Sequence, residues 1–377
     1  MKHLLFVIPE YSHGGTNKSL ENLLGLIDKS KYDISIYCLY EDGGEYYKKL
    51  FAPYILKKSW LYYWLHDNVY TRKLMGLYNK VTKRDNFAWL YKREANQIQR
   101  SQGFNTAVAY QEGTATQFVT YMPQGIRKIA WIHCDYGERA RGVRIKEGEV
   151  YAGFNHVVCV SDTAQKSFCG LYPEYGGKTH SIYNLLDVEG IRAEAQRETD
   201  EPFRSDCRFK MVSIGRLNGV KQFDRIPMVA YELKKMSKRP FCWYIIGEGA
   251  EKANVKAEIE KYSVEDEVRL LGAKDNPYPY IKQANLLACT SSSESFSYVI
   301  AEAKILHTPV ISNDFPVAYE VVDENTGWIA NLKDMPELLA RIIDDVDGIY
   351  HKKKESISNY EYNNDKIIQQ IDQLFQN

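Results

Sequence analysis

Residues 286–302 read Leu-Leu-Ala-Cys-Thr-Ser-Ser-Ser-Glu-Ser-Phe-Ser-Tyr-Val-Ile-Ala-Glu. Four apolar residues, Leu286–Cys289, lead into a run of hydroxyl residues and then into a helical pattern over Tyr298–Leu306. A short unbroken apolar run suits a strand covered on both faces, and an immediately following helix suits a parallel crossover. The same unit recurs around it. Phe209–Ile214 precedes Gly215-Arg-Leu-Asn-Gly-Val-Lys221 and a helical pattern over Phe223–Lys235. Phe241–Ile246 precedes Gly247-Glu-Gly249, and Val268–Leu271 and Pro309–Ile311 are two further apolar runs. Strand and helix alternating in this way predict a parallel sheet with helices on both faces.

The N-terminal half follows the same plan. Leu4–Ile8 is a strand, Tyr11-Ser-His-Gly-Gly-Thr-Asn17 a turn, and Leu20, Leu23, Leu24 and Ile27 mark a helix. Ile34–Tyr40, Thr106–Tyr110, Ile129–Ile132 and His156–Val160 are further β-type runs. The polar stretch 188–208 lies between the two halves. The expected organisation is a Rossmann-like domain over 1–184, a junction over 185–207, a second Rossmann-like domain over 208–355 and a closing segment over 356–377 whose helix returns to the first domain. Residues 335–350 and 364–375 read as closing helices. Two such domains place a ligand cleft at the carboxyl ends of their strands.

Composition sets limits. The chain has 377 residues, 44% hydrophobic and 26% charged, which is globular composition. Lys+Arg and Asp+Glu are both 49, so a nucleic-acid-binding surface spread over the whole molecule is not expected. Seven widely spaced cysteines without a C-x-x-C pair read as reduced thiols of a cytoplasmic protein. The apolar run Leu4–Ile8 is too short for a secretory signal, and no run approaches a membrane span. The expectation is a soluble protein, at most peripheral to the inner face of a membrane.

Residues 56–100 depart from the rest. Ten basic residues face three acidic ones there, interleaved with Trp60, Tyr62, Tyr63, Trp64, Tyr70, Trp89 and Tyr91. A basic, aromatic, helical insertion suits an anionic membrane surface or a polyanionic partner.

Several residues fall where chemistry would be placed. Gly14 and Gly15 sit between the first strand and its helix, where backbone N–H groups favour an anion. Arg216 and Lys221 flank a strand-to-helix loop and together suit a diphosphate whose charge grows as it departs. Gly247 and Gly249 are a fragment of a dinucleotide fingerprint whose third glycine is replaced by Lys252. Glu294 and Glu302 are eight residues apart, about 800° of helix rotation, so Glu302 lies near the face of Glu294 but two turns on. Glu302 can accept hydrogen bonds from a diol such as ribose. Asp345-Val-Asp347 reads as a solvated helix end rather than a metal site.

In this order, a Gly-Gly loop, Gly-Arg-Leu with a downstream Lys, Gly-x-Gly and Glu-x7-Glu resemble glycosyltransferase family 4 over most of the chain, from Leu4 to about Gly327. The resemblance implies the GT-B fold and a retaining, nucleotide-sugar-dependent transferase that requires no metal and no bound cofactor. It implies that Arg216 and Lys221 bind the donor diphosphate, Glu302 the ribose and Glu294 the donor sugar. Gly15, with Gly14, would lie beside the phosphates, and Gly247 beside the donor. The amides of Ser295, Phe296 and Ser297 would touch the sugar or phosphate, although Ser295 and Ser297 stand where the family has glycine. His133, in Trp131-Ile-His133, resembles the active-site histidine, with Cys134 intervening before Asp135. Asn184-Leu-Leu-Asp187 resembles the hinge motif without its Pro or Gly.

The implied activity is transfer from a nucleoside-diphosphate sugar, a UDP-sugar at family level, to a saccharide or lipid-linked saccharide in bacterial surface polysaccharide synthesis. Arg139, Arg141 and Arg144, with Lys146, are candidate acceptor contacts. The competing readings are a noncatalytic nucleotide-sugar- or glycan-binding subunit and a sugar-nucleotide epimerase of the same fold. A nicotinamide-dependent oxidoreductase is disfavoured by the glycine spacing.

Overall fold

The structure, a computed structural model, describes residues 1–376 apart from 13, 42, 69, 75–76, 78–85, 138–147, 200–202 and 204–207. The chain divides into two compact units, Met1–Leu186 with Asn364–Asn377, and Asp187–Asn363.

The first unit holds one parallel sheet of six strands: β1 (Lys2–Ile8), β2 (Tyr32–Cys38), β3 (Thr106–Ala109), β4 (Arg127–Ile132), β5 (His156–Cys159) and β6 (Thr179–Ser181), in spatial order β2-β1-β3-β4-β5-β6. Leu4 pairs with Ile34 on one side and Thr106 on the other. Leu4–Ile8 are fully buried, the consequence of helices covering both faces of a central strand. The last helix, Asn364–Gln376, packs here. Phe375 stands edge-to-face against Phe6 and Tyr32, with centroids 6.1 and 5.6 Å apart. Lys2 Nζ donates to the carbonyls of Phe375 (3.0 Å) and Gln376 (2.6 Å), and Arg127 Nη1 to that of Leu374 (3.2 Å). Cations on the last carbonyls satisfy orphan acceptors and complement the helix dipole.

The second unit holds β7 (Phe209–Ile214), β8 (Phe241–Ile246), β9 (Val268–Gly272), β10 (Leu286–Cys289), β11 (Val310–Ser312) and β12 (Gly327–Ile329), again all parallel, in order β12-β11-β10-β7-β8-β9. Successive residues of a strand feed opposite cores. Met211, Trp243, Ile245 and Ala288 pack with the helices Ile226–Met236 and Met335–Ile343. Val212, Tyr244, Ile246 and Cys289 pack with Tyr278–Gln283 and Tyr298–Ile305. The period of two is the strand's own. Trp243 Nε1 donates to Ser213 Oγ (2.9 Å), which donates to the carbonyl of Ala288 (2.5 Å), so the buried polar atoms between strands are paired.

Three expectations change. The three-residue edge strands β6 and β12 are too short to show a periodic pattern and were not expected. The helix expected over 335–350 is two helices, Met335–Ile343 and Ile349–Ile357, broken where Asp345, Asp347 and Gly348 take positive φ. Asp345 Oδ1 there accepts from the backbone N–H of Tyr350 (2.8 Å) and His351 (3.2 Å), starting the second helix. Part of the stretch read as a junction is a helix, Val188–Glu194, capped by Asp187 and fastened within the second unit by Asn276 Nδ2 on the Glu194 carbonyl (2.9 Å). Cys38, Cys134, Cys159, Cys169, Cys242 and Cys289 form no disulfide. Among the described residues no helix is long and apolar enough to cross a membrane.

Candidate functional site

In the second unit, the loops after β7, β8 and β10 leave the carboxyl ends of neighbouring strands and bring the predicted residues together. The β7 and β8 loops are pressed onto each other. Leu217 N–H donates to the Glu248 carbonyl (2.9 Å), and Glu251 N–H to the Leu217 carbonyl (3.1 Å). A Cβ on Gly247 would lie 1.9 Å from the Gly215 oxygen, and one on Gly249 would lie 2.2 Å from the Leu217 oxygen. Both glycines have φ near +150°, so the Gly-x-Gly fragment has a local reason in loop packing.

The β7 and β10 loops are stitched as well. Ser292 N–H donates to the Val220 carbonyl (2.8 Å), and Thr290 Oγ1 to the Lys221 carbonyl (2.7 Å). Asn313, just after β11, donates through Nδ2 to the Ser291 carbonyl (2.9 Å). This frame sets Lys221 against Glu294: the ammonium pairs with the carboxylate, which also accepts from Ser291 Oγ (2.7 Å). Arg216 is exposed at the start of the same loop.

Ser297 precedes the helix Tyr298–Ile305 with φ 62° and ψ 76°. That left-handed conformation accounts for a glycine at this place in the resembled pattern. Glu302 is buried inside the helix and accepts a hydrogen bond from Tyr278 Oη (3.2 Å). Burial pushes the Cys289 thiol up, away from the thiolate form.

In the first unit, Gly14 and Gly15 open the helix Gly15–Leu26 and are exposed. The turn before them is folded by Asn17, whose buried amide donates to the carbonyls of Glu10 (3.1 Å) and Ser12 (2.8 Å). The helix is tied to the chain at 184–185. Ser19 Oγ donates to Asn184 Oδ1 (2.7 Å), and Asn22 Nδ2 to the Leu185 carbonyl (2.8 Å). His133 follows β4, half-buried beside the Tyr110 ring at 4.9 Å between centroids. Its backbone N–H donates to Glu112 Oε2 (3.0 Å), a buried carboxylate at the end of β3. Burial lowers the imidazole to about 3, so it is neutral near pH 7 and offers hydrogen bonds without a charge.

Within 56–100 the described charges are sorted. Asp67 pairs with Lys58, while buried Glu94 accepts from Tyr37 Oη (2.9 Å) and Ser59 N–H (2.9 Å). Lys57, Lys73, Lys92, Arg93 and Arg100 are exposed. Trp60 and Trp64, 75% and 46% exposed, lie parallel with centroids 6.1 Å apart. Arg139, Arg141, Arg144 and Lys146, and within the insertion Lys80, Lys83 and Arg84, lie outside the described residues.

Sequence reasoning missed Asn17, Glu112, Tyr278 and Ser291. Each acts through polar contacts to a loop or to a predicted residue. Only the Asn276-Pro-Tyr278 turn carried a local signal, in its helix-starting Asn and Pro.

Residues 196–364 match the family described as Glycosyl transferases group 1. A Campylobacter jejuni protein named N-acetylgalactosamine-N,N'-diacetylbacillosaminyl-diphospho-undecaprenol 4-alpha-N-acetylgalactosaminyltransferase is 31% identical over 137 residues, 36% of this chain and 35% of that protein. The amylovoran biosynthesis glycosyltransferase AmsD of Erwinia amylovora is 25% identical over 122 residues, 32% of this chain and 34% of that protein. The chain spans about a third of the length of these curated relatives. Anabaena Alr3699/HepE, solved in complex with UDP and glucose, has a TM-score of 0.72 at 14% identity, with 100% of this chain and 99% of that one covered. That likeness shows the fold, which is GT-B.

Proposed function

We propose that the protein is a retaining glycosyltransferase of the hexosyltransferase class. It moves a sugar from a UDP-sugar to a hydroxyl of a saccharide or lipid-linked saccharide, in bacterial surface polysaccharide synthesis. The observation that carries this reading is the Lys221–Glu294 pair on the loops after β7 and β10, with Arg216 on the same loop as Lys221 and Glu302 in the helix that follows Glu294, within the stretch that matches the group 1 family. Further support comes from the UDP and glucose named for Anabaena Alr3699/HepE, from the lipid-linked saccharide in the name of the Campylobacter relative and from the polysaccharide in that of the Erwinia one.

On this reading the second unit binds the donor. Arg216 forks onto the diphosphate and Lys221 adds a point charge, and both act most strongly as the leaving group gains charge. These cations offset the diphosphate, so the proposal calls on no metal. Glu302 takes the ribose hydroxyls beside Tyr278. Glu294 and the amides of Ser295, Phe296 and Ser297 orient the sugar. In the first unit, Gly14 and Gly15 present helix-terminal N–H groups suited to a phosphate, and neutral His133 is suited to hydrogen-bond a sugar without adding charge. The acceptor attacks on the face the diphosphate leaves, its hydroxyl proton passes to the leaving phosphate oxygen, and the anomeric configuration is kept.

The first unit serves the acceptor, with Arg139, Arg141 and Arg144 as its contacts. The exposed Lys and Arg residues and the Trp60–Trp64 pair of the insertion support a peripheral contact with the cytoplasmic face of an anionic membrane.

The test is incubation with UDP-glucose, UDP-galactose and their N-acetylated forms plus polyprenyl-diphosphate saccharides, with products read by mass spectrometry and anomeric NMR. A new α-linked product from an α-linked donor supports the reading. A β-linked product overturns retention, a rearranged free sugar nucleotide indicates epimerisation, and tight donor binding without any product across the panel indicates a noncatalytic binding protein.

A further inference from the structure

Lys221 and Glu294 are both assigned to the donor by the function proposed above, yet each is already the other's partner. Their side chains are 22% and 14% exposed, so an incoming anion reaches the pair from solvent. The loops that carry them are joined through Ser292 to Val220, Thr290 to Lys221 and Asn313 to Ser291, none of which uses either charge. Changing one charge therefore leaves the frame in place. Ser291 Oγ donates to the same Glu294 oxygen that pairs with Lys221.

Any diphosphate drawn to the Lys221 ammonium arrives within an ion pair's reach of a carboxylate. Donor and product differ in what they bring there. The diphosphate of a nucleotide sugar is esterified at both ends and has two ionised oxygens. The free nucleoside diphosphate has a terminal phosphate whose second ionisation lies near pH 6, so near neutral pH it carries almost one further negative charge. That extra charge sits on the end freed when the sugar leaves. Glu294 repels it more than it repels the donor, and at few-ångström separations in a partly exposed site a unit-charge repulsion is worth about tenfold in affinity.

We propose that Glu294, besides orienting the sugar, is a specificity-determining residue. Its charge beside Lys221 weakens the hold on the free nucleoside diphosphate relative to the nucleotide-sugar donor, and so favours product release. The inference rests on the nucleotide-sugar reading.

The experiment is calorimetric titration of the full chain with UDP and with UDP-glucose, for the unaltered protein, Glu294→Gln and Lys221→Ala. Glu294→Gln should bind UDP about tenfold tighter, and the ratio of the UDP to the UDP-glucose dissociation constants should fall. Lys221→Ala should weaken both ligands. Equal or weaker UDP binding by a folded Glu294→Gln, with the ratio unmoved, overturns the proposal. The pH dependence gives a second reading: between pH 5.5 and 8, as the terminal phosphate ionises, the UDP to UDP-glucose ratio should change in favour of UDP-glucose in the unaltered protein relative to Glu294→Gln, because only the former sets a carboxylate against the attraction of Arg216 and Lys221, and equal changes in the two proteins also overturn the proposal. If the unaltered protein binds no nucleotide at all, the nucleotide-sugar reading itself falls.

Discussion

Replacing Ser297 by glycine isolates a cost stored at the start of the helix Tyr298–Ile305. Ser297 holds φ 62° and ψ 76°, a conformation that costs an L-residue roughly 1–2 kcal/mol. Its Oγ is buried without a hydrogen-bond partner among the described residues, which costs about 1–3 kcal/mol. Glycine removes both. Against this stand roughly 0.5–1 kcal/mol of extra freedom in the unfolded chain and about 0.8 kcal/mol of lost packing. The net expectation for Ser297→Gly is a stabilisation of about 2 kcal/mol, or roughly 4–8 °C in Tm for a unit of this size. Differential scanning calorimetry of the full chain reads it. Ser293→Gly is the control, because Ser293 is not among the residues of positive φ and glycine there should lower Tm. If Ser297→Gly lowers Tm as Ser293→Gly does, the backbone at 297 is not strained and the reasoning fails.

Other consequences follow from the same geometry. Phe375→Ala, removing a fully buried ring packed on Phe6 and Tyr32, should destabilise the first unit by about 3–5 kcal/mol in urea unfolding; a loss under 1 kcal/mol would mean the last helix is not part of that core. His133 is held near 3 against an unfolded value of about 6.5, so its contribution to stability is intact above pH 6.5 and lost as pH falls towards 3. The difference in unfolding free energy between the unaltered protein and His133→Asn should therefore change by up to about 1.4 kcal/mol per pH unit below 6.5, and a pH-independent difference contradicts the neutral imidazole. Trp60→Glu with Trp64→Glu should leave Tm within about 1 °C, because both rings are exposed, yet reduce sedimentation with phosphatidylglycerol vesicles several-fold; unchanged sedimentation removes the membrane proposal.

What could be read from sequence was what repeats or clusters along the chain. The central strands β7, β8 and β10 coincide with apolar runs because both of their faces are buried, so every residue reports burial. The edge strands β6 and β12 have three residues each, fewer than any periodic signal needs. The break at Asp345 is invisible in the hydrophobic pattern, since Ile349, Tyr350 and Ile357 continue an apolar stripe and only the φ values show the turn.

The second-unit residues proposed for the donor could be picked out because they lie on loops that follow strands in chain order. Their partners could not. Tyr278 reaches Glu302 from 24 positions away, and Glu112 reaches the His133 amide from 21. Such contacts depend on strand order, which one sequence does not display. The basic insertion looked uniformly charged in sequence, and the structure adds that Asp67 and Glu94 turn inward.

On the proposed reading, Arg216, Lys221 and Glu302 hold a nucleoside-diphosphate sugar. Thermal stabilisation by UDP, GDP, ADP and their sugar derivatives tests it most directly, on the unaltered protein and on Arg216→Ala, Lys221→Ala and Glu302→Ala. One nucleotide at a hundred times its dissociation constant should stabilise by about 2.7 kcal/mol, with the effect much reduced in all three variants. A shift that survives all three substitutions, or no shift with any nucleotide, would contradict the account.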